Sequence, residues 1–435
     1  MAVDYDLVVV GNNTAARFAA IAAKERSARV AFISVAPEVI PHHLFLNQWS
    51  QTRPHQCSLK AWAEARTMTW QAPHSPAQLA NLGIEQINGA VQFRKEPQLQ
   101  VHVQDRVLRS RRYLLCLDAD QCPPTIPGVQ TEDWIFPANI IEYLDNLAPS
   151  LSHPILVVGG GPISTILCQA IARLGYPVTL LCEHPHILPW EDPEAAARIQ
   201  AHLEADGVQI FSRCQIKEVI PKSQSFYQVV TNYGELTVDR LVWAAEPLSS
   251  AIHPSRMDVE LQHRSQGLWV NPQLQTSSSQ IYACGSVLGG YTLADITHHE
   301  ALVAVRNVLS KRQTTVDYRL VPWSIQTAPA LARVGLTEQQ AQQQQLSFRV
   351  VYPSLLNTPT GRLQNLTAGW SKLIVQADGQ ILGAHVIGPT AAEIIYGVTI
   401  AIQQRCPISK LADGAAFSSS YSSIIGQVAC QWSNR

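Results

Sequence analysis

Two stretches of this chain repeat one pattern, and they constrain its fold more than anything else in it. Residues 8 to 34 read VVVGNNTAARFAAIAAKERSARVAFIS, and residues 154 to 183 read PILVVGGGPISTILCQAIARLGYPVTLLCE. Each begins with an apolar strand, turns tightly through glycine, continues as an apolar-faced helix and ends in a second apolar strand. That is the opening of a doubly wound α/β domain, in which the turn and the helix N-terminus receive a nucleotide phosphate. Two copies predict two such domains. The turns differ in quality. A phosphate loop calls for Gly-x-Gly-x-x-Gly/Ala. The second copy keeps Gly159, Gly160 and Gly161, with Ser164 at the third glycine position. The first keeps Gly11 and has Ala16 at the last position, but places Asn13 where the backbone should approach a pyrophosphate.

Other segments fill in the order of the chain. VHVQDRVLRSRRYLLCLD alternates like antiparallel strands, and PPTIPGV forms a rigid connector. The segment from 267 reads as strand, turn and short strand, followed by a helix from about Ile296 to Leu309. A last domain opens near Val321. There Thr337 and Gln340 have capping-box spacing ahead of a helix, and Asp378-Gly379 joins two strands as a hairpin. AAEIIYGVTIAIQQR follows as an apolar helix whose domain makes a plausible dimer surface.

The bulk properties exclude some classes. Net charge is −1 with only 15% charged residues, which gives no footprint for nucleic acid. No apolar run reaches the ~18 residues of a membrane span. The length suggests roughly three domains. Nine cysteines are dispersed without a metal-type C-x-x-C pair, and no secretory leader is evident, so the expectation is reduced thiols in a cytoplasmic protein. His42-His43 and His298-His299 lack an accompanying Cys or acid cluster and are read as ordinary packing residues. Trp243 and Trp323 are read as core or interface filling.

Taken in order, ILVVGGGPI, ILPWEDPEAAARIQAHLEADGVQI, HEALVAVRN, ARVGLTEQQA and ILGAHVIGPTAAEII resemble the pyridine nucleotide–disulfide oxidoreductase family, the group of dihydrolipoamide dehydrogenase, glutathione reductase and mercuric reductase. The resemblance covers nearly the whole chain. It implies two Rossmann-like FAD/NAD(P)-binding three-layer domains and a C-terminal α+β dimerisation domain. The expected division is FAD-type at 1–150 and 266–318, NAD(P)-type at 151–265 and interface at 319–435. It also implies a homodimer, with FAD and NAD(P)H as cofactors and hydride passing between nicotinamide, flavin and a redox disulfide.

Position by position, the family's chemistry is depleted. The stretch that should carry Cys-x-x-x-x-Cys holds only Cys57, and the closest pair in sequence, Cys116 and Cys122, reads as two unrelated core thiols. Ala416 and Ser423 stand where the family's His and Glu base would be. Ser34 replaces the acid that holds the flavin nucleotide's ribose, and Gly285-Ser286 replaces the Gly-Asp whose aspartate binds the ribityl chain. Two lost charged acceptors at ~1.5–3 kcal/mol each remove about 3–6 kcal/mol, roughly 10²–10⁴ in affinity. FAD binding is therefore expected to be weakened, although asparagine tolerates positive φ and Asn13 could preserve the turn. In the second unit Leu167 stands for the glutamate near the nicotinamide. Cys182 stands for the ribose acid, with Glu183 one position later, so NAD(P)H binding is degraded less. Two functions follow as expectations. The first is a redox-silent homodimeric scaffold, nucleotide sensor or regulator with an unidentified protein partner. The alternative is a flavin-dependent NAD(P)H oxidoreductase using quinone, oxygen or a metal instead of a disulfide.

Overall fold

The computed structural model describes residues 3–38, 40–52, 57–95, 98–118, 123–146, 154–222, 226–245, 259–264, 267–290, 293–411 and 419–433, side chains 431 and 433 excepted. The first repeat forms the centre of a five-stranded parallel sheet. Its order is Ile281–Ala283, Ser110–Cys116, Tyr5–Gly11, Val30–Ser34, Glu85–Asn88. Leu7 to Val10 are fully buried, as β-branched strands covered on both faces must be. The helix Thr14–Lys24 lies close against this sheet and against the helix Ala294–Leu309, because its inner face is alanine: Ala16, Ala19, Ala20 and Ala23 are all buried.

The alternation in residues 101–118 is only half antiparallel. Val91–Arg94, Gln100–Val103 and Arg106–Leu108 form a small antiparallel sheet. Ser110–Cys116 instead pairs in parallel with the first strand, Leu115 beside Val10. The reason lies in its second half: Tyr113, Leu114, Leu115 and Cys116 are consecutively buried, which is the signature of a two-sided strand. The segment from 267 forms only isolated bridges, at Leu268 and Gln275, before the strand Ile281–Ala283 returns to the first sheet.

The second repeat builds another parallel sheet, ordered Val208–Ser212, Val178–Cys182, Ile155–Val158, Arg240–Trp243, Trp134–Ile135. A three-stranded antiparallel layer, Ile216–Pro221, Tyr227–Thr231 and Gly234–Val238, packs beside it. Trp243 is buried edge-on to Trp134, as core.

The C-terminal region is a five-stranded antiparallel sheet, Trp323–Ile325, Leu331–Gly335, Ile381–Ile387, Trp370–Gln376, Phe348–Val351, backed by helices Ala391–Gln403 and Ser423–Ser433. The hairpin turns at Asp378-Gly379, with Gly379 at φ +87° and the Asp378 carboxylate accepting the Gln380 N–H. Thr337 and Gln340 make the reciprocal capping box of the helix Glu338–Gln343. Together with the two nucleotide-type sheets, this is the mixed α/β architecture expected from the sequence.

A buried ionic junction joins this region to the second nucleotide-type unit. Lys372 Nζ, on the strand Trp370–Gln376 next to the centre of the antiparallel sheet, sits 3.0 Å from Asp192, 3.0 Å from Glu194 and 2.6 Å from Glu338. Arg333 pairs with Glu191 at 3.2 Å and stacks 4.4 Å over Trp323. Asp192 caps the helix Pro193–Ala205 and its side chain is shut off from solvent. Removing the ammonium would leave that carboxylate buried without its cation, a loss of about 3–5 kcal/mol. Lys372→Met should therefore lower the unfolding free energy from urea titration by that amount, through a lower midpoint at unchanged m. A loss under ~1 kcal/mol would show that the junction is not stabilising.

Candidate functional site

The two phosphate-type turns are built differently, and the difference lies in what satisfies each helix N-terminus. In the first, Asn13 is the N-cap of Thr14–Lys24, and its Oδ1 accepts the Ala16 N–H at 2.9 Å. The expectation that Asn13 uses a left-handed conformation is corrected here. Its φ is −115°, ordinary extended backbone, because an N-cap residue needs that geometry. Gly11 and Ala16 are small because the turn is tight: a methyl group on Gly11 would run into the Cys116 carbonyl and Ala16 Cβ.

The other end of the Asn13 amide leads to a residue that the sequence reading passed over. Asn13 Nδ2 donates to Asp118 Oδ1 at 2.8 Å, and Ser286 Oγ donates to the same oxygen at 3.1 Å. Asp118 follows the strand Ser110–Cys116, at the carboxyl edge where doubly wound folds bind ligands. A carboxylate is thus present beside Ser286, but it comes from a neighbouring strand and is engaged by the turn itself. Its Oδ2 is shielded and has no partner among the described residues, and burial pushes its pKa above the ordinary range against the two donated hydrogen bonds. A signal existed in the sequence: an aspartate directly after an apolar parallel strand.

The remaining expected flavin contacts are also turned inward. Ser34 Oγ donates to the Ala36 carbonyl at 3.0 Å. Four residues on, Glu38 forms a buried pair with Arg17 at 3.2 Å and accepts from Gln71 at 3.1 Å. Gly285 adopts φ +83°, and its N–H is held by the buried Glu300 carboxylate at 2.7 Å, which also accepts from Tyr318 at 2.7 Å. Burial, only partly offset by those donors, raises Glu300 to about 7. A cavity of about 370 Å³ opens beside it, lined by Gly285, Glu300, Tyr318, Trp190, Trp323 and Arg333.

The second turn is open. The helix Pro162–Arg173 starts at Gly161 with no side-chain cap. Ser164 and Thr165 hydroxyls both donate to the Gly161 carbonyl, at 2.9 and 2.8 Å, and leave the first N–H groups untouched. Gly159 has φ +150° under the Ala244 carbonyl, and a methyl group on Gly160 would strike Cys182 Sγ. Cys182 is buried beneath the turn, Glu183 faces solvent, and Leu167 is fully buried in the core. A pyrophosphate fits here by donor chemistry. The first turn has one of its N–H groups, that of Ala16, capped by Asn13 and a carboxyl beside it.

The other expected positions divide. Cys116 is not an isolated core thiol, since its neighbour is Cys284, with the sulfurs 3.2 Å apart. Cys122 and Ala416 lie outside the described residues. Cys57 is exposed and free, and Ser423 Oγ is buried without a partner among the described residues. His298 stacks on Phe18, and no metal-holding group of three ligands occurs among the described residues. Trp323 donates to Glu191 at the interdomain junction.

A model of the pyridine nucleotide-disulphide oxidoreductase family matches residues 5–301, and one of that family's dimerisation domain matches residues 321–428. The chain belongs to this family. Mercuric reductase of Staphylococcus aureus is similar at 28% identity, covering 95% of this chain and 80% of the relative. A probable family oxidoreductase of Escherichia coli, RclA, is also 28% identical, over 78% of this chain and 77% of its own. Among solved structures, LpdA of Mycobacterium tuberculosis superimposes with a TM-score of 0.84 at 21% identity, covering 98% of this chain and 99% of that one. No described helix is long and apolar enough to cross a membrane.

Glu300 offers a test of this reading of the cleft. Its folded value of about 7 exceeds the ordinary 4.5, so between those values the folded state binds more protons than the unfolded state. Its contribution is fully present below about pH 4.5 and is lost as pH rises through about 7, a difference on the order of 3 kcal/mol. Glu300→Gln keeps an acceptor for Gly285 but cannot titrate, so the wild-type-minus-variant stability difference should fall by about that amount as pH rises across the window. Parallel stability curves for the two proteins would contradict the assignment.

Proposed function

We propose that this chain is a homodimeric member of the family that does not perform disulfide exchange. It holds FAD weakly if at all, and acts as a scaffold or sensor reading a nicotinamide nucleotide through Gly159, Gly160 and Gly161. The observation that carries the reading is the contrast between the two turns: Asn13 caps its own helix and binds Asp118, whereas the second helix start is uncapped. An ionised Asp118 would repel a phosphate placed at this turn, by on the order of 4 kcal/mol for charges ~4 Å apart at an effective dielectric of 20, and its burial-raised pKa makes that an upper bound. At the second turn, Gly159, Gly160, Gly161 and the uncapped start of the helix Pro162–Arg173 would hold the nucleotide's phosphates, with Glu183 at the strand end. Bound there, the nucleotide would supply hydride-donor chemistry, and the residues of the site do no more than hold it. The match to the dimerisation domain, together with the exposed Tyr396 and Ile400 on the helix Ala391–Gln403, supports a dimer of this chain.

The open second turn also favours one alternative: a flavin-dependent NAD(P)H oxidoreductase that delivers electrons to quinone, oxygen or a metal ion without protein thiols. Mercuric reductase among the relatives agrees with a metal acceptor.

The absorbance spectrum of the purified protein separates the two. The proposal expects colourless protein, no NAD(P)H oxidation with added FAD, and a sedimenting mass near twice 47.9 kDa. Near-stoichiometric flavin absorbance, or turnover with FAD and a quinone, would establish the enzyme instead.

A further inference from the structure

Two cysteines far apart in sequence meet in the first sheet. Ala283 pairs with Leu115, which carries Cys284 beside Cys116 at the carboxyl ends of neighbouring parallel strands. The Cys284 N–H donates to the Leu115 carbonyl at 3.0 Å. Laterally paired residues project to the same face. Both side chains are fully buried, and their sulfurs lie 3.2 Å apart. A disulfide needs Cα atoms about 4.4–6.8 Å apart, and adjacent strands run ≈ 4.7–4.9 Å apart. The register therefore meets the backbone requirement, and only the sulfurs need to close.

We propose that Cys116 and Cys284 are an oxidisable thiol pair that takes small neutral peroxides as its reagent. It is a modification site separate from the family's Cys-x-x-x-x-Cys position, which this chain lacks. Burial selects the reagent. A bulky disulfide cannot approach a sulfur with no exposed surface in line, whereas hydrogen peroxide is scarcely larger than water. The Cys116 contact and burial push the Cys284 thiol up, so one thiol gives up its proton only as its sulfur attacks a peroxide oxygen. The O–O bond breaks, leaving a sulfenic acid and, after protonation, one water. The second thiol then attacks the sulfenic sulfur, the S–S bond forms, and the hydroxyl leaves with a proton as a second water. Two thiols and one peroxide become one disulfide and two waters, and the two electrons lost by sulfur reduce the peroxide. Sulfenic acids that meet a neighbouring thiol end as disulfides, and here that thiol is already in contact.

The position gives the bond a consequence. Cys116 precedes Asp118 by two residues, and Cys284 precedes Ser286 by two, and those two side chains share a hydrogen bond at 3.1 Å. A disulfide would tie the strands directly beneath the carboxylate of the first turn, so oxidation acts on that cleft.

Cys168 is the internal control, since it is equally buried but no sulfur–sulfur contact is found for it among the described residues. Native full-length protein is treated with hydrogen peroxide or, in parallel, with glutathione disulfide, then alkylated in denaturant and digested. Peroxide should join the peptides of Cys116 and Cys284 in most molecules while Cys168 is recovered alkylated, and glutathione disulfide should not join them. The joined protein should melt at least ~5 °C higher, because the bond closes a long loop in the unfolded chain. The proposal is overturned if Cys116 and Cys284 are recovered as thiols after peroxide, if Cys168 is oxidised to the same extent, or if glutathione disulfide joins the pair as readily.

Discussion

The first nucleotide-type turn depends on one side chain using both ends of its amide. Asn13 gives its oxygen to the helix it begins and its nitrogen to Asp118, at 2.9 and 2.8 Å. A helix N-terminus attracts anions because its first N–H groups have no partner within the helix. Asn13 supplies a partner from within, and Asp118 brings a carboxyl into the same space. Ser286 completes the arrangement from the third strand. Asn13, Asp118 and Ser286 thus serve one another at this turn.

The second turn shows what the first has given up. Gly161 offers no side chain to cap its helix, and Ser164 and Thr165 spend their hydroxyls on a carbonyl, not on the N–H groups. The two halves of one chain, built on the same strand-turn-helix-strand plan, thus differ in electrostatic readiness for phosphate. The interdomain junction of Lys372 and Arg333 with Asp192, Glu191 and Glu338 keeps the C-terminal sheet docked independently of either turn. Loss of cofactor contacts need not cost the fold.

The architecture was legible in sequence because periodicity and turn chemistry are local. The alanine-faced helix, the capping box of Thr337 and Gln340 and the hairpin at Asp378-Gly379 were all readable from a few neighbouring residues. The strand Ser110–Cys116 was misplaced because its polar first half imitates alternation, while its partners lie about a hundred residues away. The site was legible only as absences. Ser34, Ser286 and Leu167 stand out in sequence only against the pattern of the family that the chain resembles. That Asp118 enters from a different strand, or that Cys284 meets Cys116 across 168 residues, is decided by sheet register, which no local pattern encodes. The conformation of Asn13 was misjudged because a glycine position suggests positive φ, whereas capping requires extended backbone.

The most direct test of the account is a calorimetric titration of FAD into wild-type protein and into the Asn13→Gly, Asp118→Ala double variant. Uncapping the helix and removing the carboxyl should tighten FAD binding by at least ~10²-fold, consistent with the few kcal/mol assigned to charge repulsion and a lost donor. The affinity for NAD(P)H at the second turn should stay within about twofold. Nanomolar FAD binding by the wild-type protein, or no gain in the double variant, would contradict the claim that Asn13 and Asp118 close this turn to phosphate.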